Sequence, residues 1–362
     1  MSSIYSRSVK TLVQPQDKLF AQALLSGVLP DGKDQMRLFS AEGLLPILSA
    51  LSDDQTAAFS ATAYEMARLQ CLPSVYKQLV ERGIRFLVFK GAALAYLVYE
   101  QPWHRTRNDT DILIEALNRD QVFELLQCQG FHAHSQIPGS HVMGACSFSK
   151  SDAFGMTHTI DVHWRLNNNW RLSTVADFDD LWMDRMQIPG MPLGTFTCSF
   201  EWALIISAIH RLAHAKYIAY EDAGFQRLES DFTLWIYDVH LIAKTLTAKG
   251  WCRLGQLVVD RDVVGIVLAS LARSEALFET PVPNDFKQRL DGLAQGVDLE
   301  DFSRRFGSFS QNLDALPTLR DKCQFLWQQC FPGSGYMHGR YGKGLLPWLY
   351  CKRLFKGMIQ RF

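Results

Sequence analysis

The sequence predicts an α+β fold, a small mixed sheet with flanking helices set between helical segments at both ends. Three observations carry that expectation: helical apolar spacing up to about Arg82, strand-like apolar runs from Ile84 to about Arg165, and helical spacing again beyond Phe200. With 362 residues, 48% of them apolar, the chain can bury a core divided among two or three packed units, and its composition is not that of a disordered protein. The divisions are expected at 1–83, an N-terminal helical region, 84–195, a sheet domain that carries the chemistry, and 196–362, a C-terminal helical domain.

Taken in order, LFAQALL, LLPILSAL and the run through Tyr64, Met66, Leu69, Val75 and Leu79 repeat at helical spacing. Asp53 and Asp54 are expected caps of the longest of these helices, and Gly83 its stop. The period then changes. Ile84 to Phe89 is a short run of strand formers, Lys90-Gly91 a tight turn, and Ala92 to Tyr99 a helix. After a loop containing Pro102, Asp109 to Ile114 reads as a second strand, followed by a helix from about Asn118 to Gln129 that Gly130 stops. His141 to Ser149 and His158 to Trp164 read as two further strands separated by a polar, glycine-containing turn. Beyond Phe200, helices are expected through Trp202 to Ile205, Phe232 to Leu246, Val258 to Phe278, and after Pro347.

Composition excludes little. Lysine plus arginine equal aspartate plus glutamate at 37 each, so the global field neither recruits nor repels a polyanion. The amino-terminal stretch lacks the features of a signal peptide, and no apolar run approaches the roughly 20 residues of a membrane span, so a cytoplasmic location is expected. The eight cysteines show no C-x-x-C pair and no zinc spacing.

Asp109 and Asp111 stand two apart in a strand, so their carboxylates leave the same face and repel each other unless a cation lies between them. Asp161, flanked by Ile160 and Val162 on a later strand, can point the same way. Three carboxylates from two strands make a two-magnesium site the natural expectation, with Asp109, Asp111 and Asp161 as ligands. Lys90-Gly91 ends a strand where a helix begins, a place where backbone amides and the helix dipole favour a phosphate.

The run FLVFKGAALAYLVYEQPWHRTRNDTDILI followed by TIDVHWRL resembles the uncharacterised nucleotidyltransferase family of the DNA polymerase β-like superfamily. That family's pattern is a strand, K-G, a helix, an arginine shortly before D-x-D, and a later D/E-x-H-W strand. The resemblance extends to HRLAH, LWIYDVHLI and FPGSGYMHGRYG, most of the chain from about residue 75 onward. It implies a polymerase β-like mixed sheet and a magnesium-dependent transfer of a nucleoside monophosphate from a nucleoside triphosphate, ATP among the candidates, to a hydroxyl of an unknown small molecule, peptide or protein. It further implies that Gly91 and the neighbouring amides, Ala92 included, hold the triphosphate, that Lys90 and Arg105 match the family's cations, Arg105 steadying a phosphate, and that Asp161 helps deprotonate the acceptor. The wider superfamily usually carries serine where this chain has Ala92. That departure supports a second reading, a catalytically silent binding module of the same fold.

Other residues receive plainer readings. His163 shares the face of Asp161 and is expected to make one structural hydrogen bond. His210 and His214 are one helical turn apart, but Arg211 stands where a zinc protease has glutamate, so they are expected on a helix face that closes over the site. Asp238 is expected to pack or cap. No acidic residue follows Asp321, while basic residues alternate with Trp348, Leu354 and Phe355. Such a tail suits an anionic membrane surface or an acidic partner, although docking on the helical domain with a solvated basic face is the preferred expectation.

Overall fold

Alternation along one strand organises the molecule. Thr110, Ile112 and Ile114 leave one face of Asp109–Ile114, and Asp109, Asp111 and Leu113 leave the other. The computed structural model describes residues 15–28, 33–50, 56–134, 137–214, 221–222, 225–226, 232–293 and 305–359. Asp53 and Asp54, the expected caps, lie outside them.

The sheet has seven strands: β1 (Phe86–Phe89), β2 (Asp109–Ile114), β3 (His132–Ala133), β4 (Ala145–Ser151), β5 (Thr157–His163), β6 (Met186–Gln187) and β7 (Phe196–Thr197). Their order is β3-β4-β5-β2-β1-β7-β6, with β2 parallel to β5, β1 parallel to β7 and the other pairs antiparallel, so the sheet is mixed. Strand β4 begins later than its apolar run suggests, because the amides of Val142 and Met143 turn back to the Gly139 carbonyl. The sheet also continues two residues past 195, through β7.

Four helices precede the sheet, α1 (Pro15–Ser26), α2 (Lys33–Ala41), α3 (Leu45–Ala50) and α4 (Thr56–Glu81). Within it lie α5 (Lys90–Leu97), α6 (Arg119–Cys128), α7 (Trp170–Ser173) and α8 (Phe178–Met183), and α9 (Phe200–His214), α10 (Thr233–Thr245), α11 (Ala248–Asp260), α12 (Val264–Phe278) and α13 (Asn284–Leu290) follow. The single helix expected over Val258 to Phe278 is two. Asp262 takes a left-handed φ of 52° and the Val263 amide returns to the Val258 carbonyl at 3.0 Å, which closes α11 before α12 starts.

Each sheet face has its own core. Phe86, Val88, Ile112, Ile114, Ile160 and Val162 pack under α4 and α6, while Leu87, Phe89 and Leu113 pack under α9 together with α10 and α12. A fully buried Leu, Ile or Val contributes about 1.5–3 kcal/mol. Strand β1, buried at every position, is therefore fixed between two layers. A third cluster joins α1 to α3 with α10 and α12, so the helices before the sheet meet those after it.

Four more helices end the described chain: α14 (Arg305–Ala315), α15 (Leu319–Cys330), α16 (Ser334–Tyr341) and α17 (Leu346–Ile359). Helix α14 packs on α7, and α15 docks on the loop before β4, where Gln328 Oε1 accepts the His141 amide at 2.8 Å. Helix α17 packs on α16, burying Leu349. The tail expected on the helical domain is thus anchored, through α15, to the rim of the sheet; Arg361 and Phe362 lie outside the described residues. No described helix is long and apolar enough to cross a membrane.

Candidate active site

Because β2 and β5 run parallel and in register, Asp111 stands beside Asp161 and Leu113 beside His163. Strand alternation then sends Asp109, Asp111, Asp161 and His163 to one face. A carboxylate oxygen from each of Asp111 and Asp161 and a ring nitrogen of His163 all lie within 4.8 Å of one another. Asp109, one pleat away, lies outside that group of three. It still feels the group: burial, and then the charges of Asp111 and Asp161, push its carboxyl up to about 6.

Lys90 closes the cluster. Strand β1 places Phe89 opposite Asp111, and the next residue donates from Nζ to Asp111 Oδ1 at 2.7 Å. His163 Nε2 lies 2.8 Å from that same oxygen. Burial works against the charge on Asp111, but Lys90 and His163 outweigh it and hold the carboxyl well below the usual range. Burial, aided by the charge of Lys90, lowers the pKa of His163. The strand-ending lysine is therefore committed to an ion pair instead of being solvated.

The turn itself departs from expectation. Its left-handed residue is Lys90, at φ 55°, rather than Gly91. A side chain there costs about 1–2 kcal/mol, and the grip on Asp111 offsets it. The glycine answers a different need: a Cβ on Gly91 would come within 3.2 Å of Arg105 Nη2 and 3.3 Å of its Cζ. Arg105 lies against that bare backbone with Nε and Nη2 donating to Asp238 of α10, each at 2.8 Å to its nearer oxygen, and Nη1 donating to the Thr106 carbonyl. Tyr99 Oη donates to Asp238 Oδ1 at 2.7 Å. Burial disfavours the charge on Arg105, and Asp238 overrides it, raising the pKa. Asp238, expected to pack or cap, is the arginine's buried counter-ion.

Ala92 faces away from these groups. Its methyl is buried with Tyr76 and Val88 in the layer under α4. What α5 presents at this end is backbone, since Phe89 at its N-cap provides no side-chain hydrogen bond to the first turn.

The acids, Lys90, Gly91 and Arg105 open onto a cleft of ≈ 1040 Å³ between the sheet, the α2–α3 connection, α9 and α10. His210 lines it, edge-on to Trp235 at 4.9 Å between ring centres. The side chain of His214 lies outside the described residues.

The donor set fits a divalent cation. Asp161 Oδ1 is buried and accepts no hydrogen bond from any described residue. Three carboxylates face one directly bonded lysine, and Asp109 is pushed up by its neighbours. A hard ion with oxygen preference would satisfy both the orphaned oxygen and the surplus negative charge.

A mixed sheet that brings carboxylates from two neighbouring strands to one end of a cleft, beside a lysine-glycine helix start, is an arrangement that suits a nucleotidyltransferase. The model of a family described as uncharacterised nucleotidyltransferase matches residues 40–279, a span that holds every site residue named above. The chain belongs to that family, whose enzymes are transferases. No curated protein matches it.

Asp109→Asn is expected to stabilise the metal-free protein above pH 6. A carboxyl whose folded pKa exceeds its unfolded value contributes stability that is complete below the unfolded pKa and lost as pH rises through the folded one, here about 6. Ionised, Asp109 costs the native state up to about 3 kcal/mol. Melting with chelator at pH 5 and pH 8 checks this. The variant should melt higher at pH 8, the gap should be about half as large at pH 5, where the loss is only part complete, and magnesium should narrow it by stabilising the wild type. A variant that melts lower at pH 8 would contradict the electrostatic account.

Proposed function

We propose that the chain transfers a nucleoside monophosphate from a nucleoside triphosphate to a hydroxyl of an acceptor, with magnesium ions held by Asp109, Asp111 and Asp161. The in-register pairing of Asp111 with Asp161, one of whose oxygens is buried without a partner, carries this reading. When bound, the ions would neutralise phosphate charge and ease deprotonation of the acceptor hydroxyl.

The residues around them have separable tasks. Lys90 and His163 both hold Oδ1 of Asp111 and so fix the direction of its carboxylate. The uncapped amides at Gly91 and Ala92 offer donors and a favourable dipole to the triphosphate. Arg105, pinned by Asp238, contributes positive field beside Gly91 rather than a free donor fork. Asp161 accepts the acceptor's proton as its oxygen attacks the α-phosphorus in line and pyrophosphate leaves. Since the Ala92 methyl lies in the core, the missing serine hydroxyl removes no cleft contact in this chain.

The experiment is transfer of label. Protein, magnesium, triphosphates labelled at the α-phosphate and a fractionated cell extract should yield a labelled acceptor and unlabelled pyrophosphate. Chelation should stop the reaction. Label that appears equally with chelator present would overturn the metal-dependent reading.

A further inference from the structure

We propose that the outward face of α17 docks on an anionic lipid surface. Leu349 is turned inward at 2% exposure, and Tyr350 Oη holds the helix to the Pro332 carbonyl at 2.9 Å. On the other side Trp348, Leu354 and Phe355 are 68%, 64% and 63% exposed. Trp348 and Phe355 are two helical turns apart and so project together, with Cys351 between them and Lys352 alongside, all exposed. A folded protein rarely leaves a tryptophan and a phenylalanine on one helix face open to water without a use for them.

Charge selects the occupant. The chain is neutral overall, yet residues 322–362 hold seven lysines and arginines and no acid. Exposed Arg340 and Lys343 lie just ahead of the helix. Aromatic side chains flanked by basic ones are what a helix needs to lie in the headgroup layer, the rings entering the acyl boundary and the cations staying at the phosphates. A second copy of the chain is a poor occupant. A two-fold interface would press this basic patch against itself. The face of a single helix is also convex, which a bilayer accommodates without shape complementarity. Docking there would bring the bilayer towards the cleft, because α15 is tied to the 137–143 loop, which lines the cleft through Ile137 and Met143.

The test is flotation of the full chain with vesicles of phosphatidylcholine alone or with a third of the lipid replaced by phosphatidylglycerol. Each basic residue near an anionic surface contributes about a factor of five. The mixed vesicles should therefore bind on the order of a hundredfold more tightly than neutral ones, with the difference shrinking as salt rises. The W348A/F355A double variant changes only exposed positions; it should melt like the wild type and lose binding, and K343E/K352E should lose the anionic preference. Binding that is absent, equal on both vesicles, or unchanged in the double variant overturns the proposal. So does a stable dimer, or a complex with an acidic protein, that forms through Trp348 and Phe355 while vesicles are ignored. None of these readouts depends on nucleotidyl transfer.

Discussion

Asp161→Asn should lower nucleotidyl transfer on the order of a thousandfold while leaving the melting temperature of the metal-free protein unchanged or slightly raised. The two halves of that expectation have one cause. Asp161 Oδ1 is buried and makes no hydrogen bond to a described residue, so its negative charge supports no native contact that an amide would forfeit. On the proposed reading, what disappears is a metal ligand and a proton acceptor. Asp111→Asn should be equally inactive but less informative, because it also removes the carboxylate that pairs with Lys90 and His163 and so strands a largely buried ammonium. Transfer rates at saturating magnesium and triphosphate, set beside thermal melts, separate the two variants. Activity of Asp161→Asn within tenfold of the wild type would remove that residue from the chemistry.

Asp238→Ala should destabilise the fold by about 3–5 kcal/mol, the cost of leaving one partner of a buried ion pair uncompensated. The side chains of Arg105 and Asp238 are 8% and 5% exposed, and Tyr99 donates to the same carboxylate, so little water can replace what is lost. Replacing both charges with apolar residues, as in R105M/D238L, should recover much of the stability. It should not recover transfer, because the positive field beside Gly91 is gone. Denaturant midpoints and transfer rates of the single and double variants check this. A single variant costing under about 1 kcal/mol would show that the pair is solvated in practice.

Legibility followed locality. Strand β2 was readable to its ends because a polar start, Asp-Thr-Asp, runs into the strand formers Ile-Leu-Ile, and the two-residue repeat of a strand puts Asp109 with Asp111, and Asp161 with His163, on one face. The acid cluster could therefore be inferred before its strands were known to be neighbours. His163 was expected to make a structural hydrogen bond, and it makes one; that the acceptor is Asp111 depends on the β2–β5 register, which no local pattern encodes. The Arg105–Asp238 pair joins positions 133 residues apart, and nothing near either residue announces the other. Strands β3, β6 and β7, two residues each, are too short for a period to show. At Lys90-Gly91 the turn was expected from the glycine, whose small size instead makes room for Arg105, while the ion pair with Asp111 holds lysine in the left-handed region.

Parallel in-register pairing makes the sheet a ruler for its own chemistry. Neighbouring strands sit about 4.8 Å apart because the N–H···O=C hydrogen bonds between them require it, so the gap between the backbones that carry Asp111 and Asp161 is set by the same hydrogen bonds that build the sheet. Insertions or exchanges in the loops at the cleft mouth can remodel what enters without altering that gauge. A lineage could in this way change acceptors many times and keep one reaction.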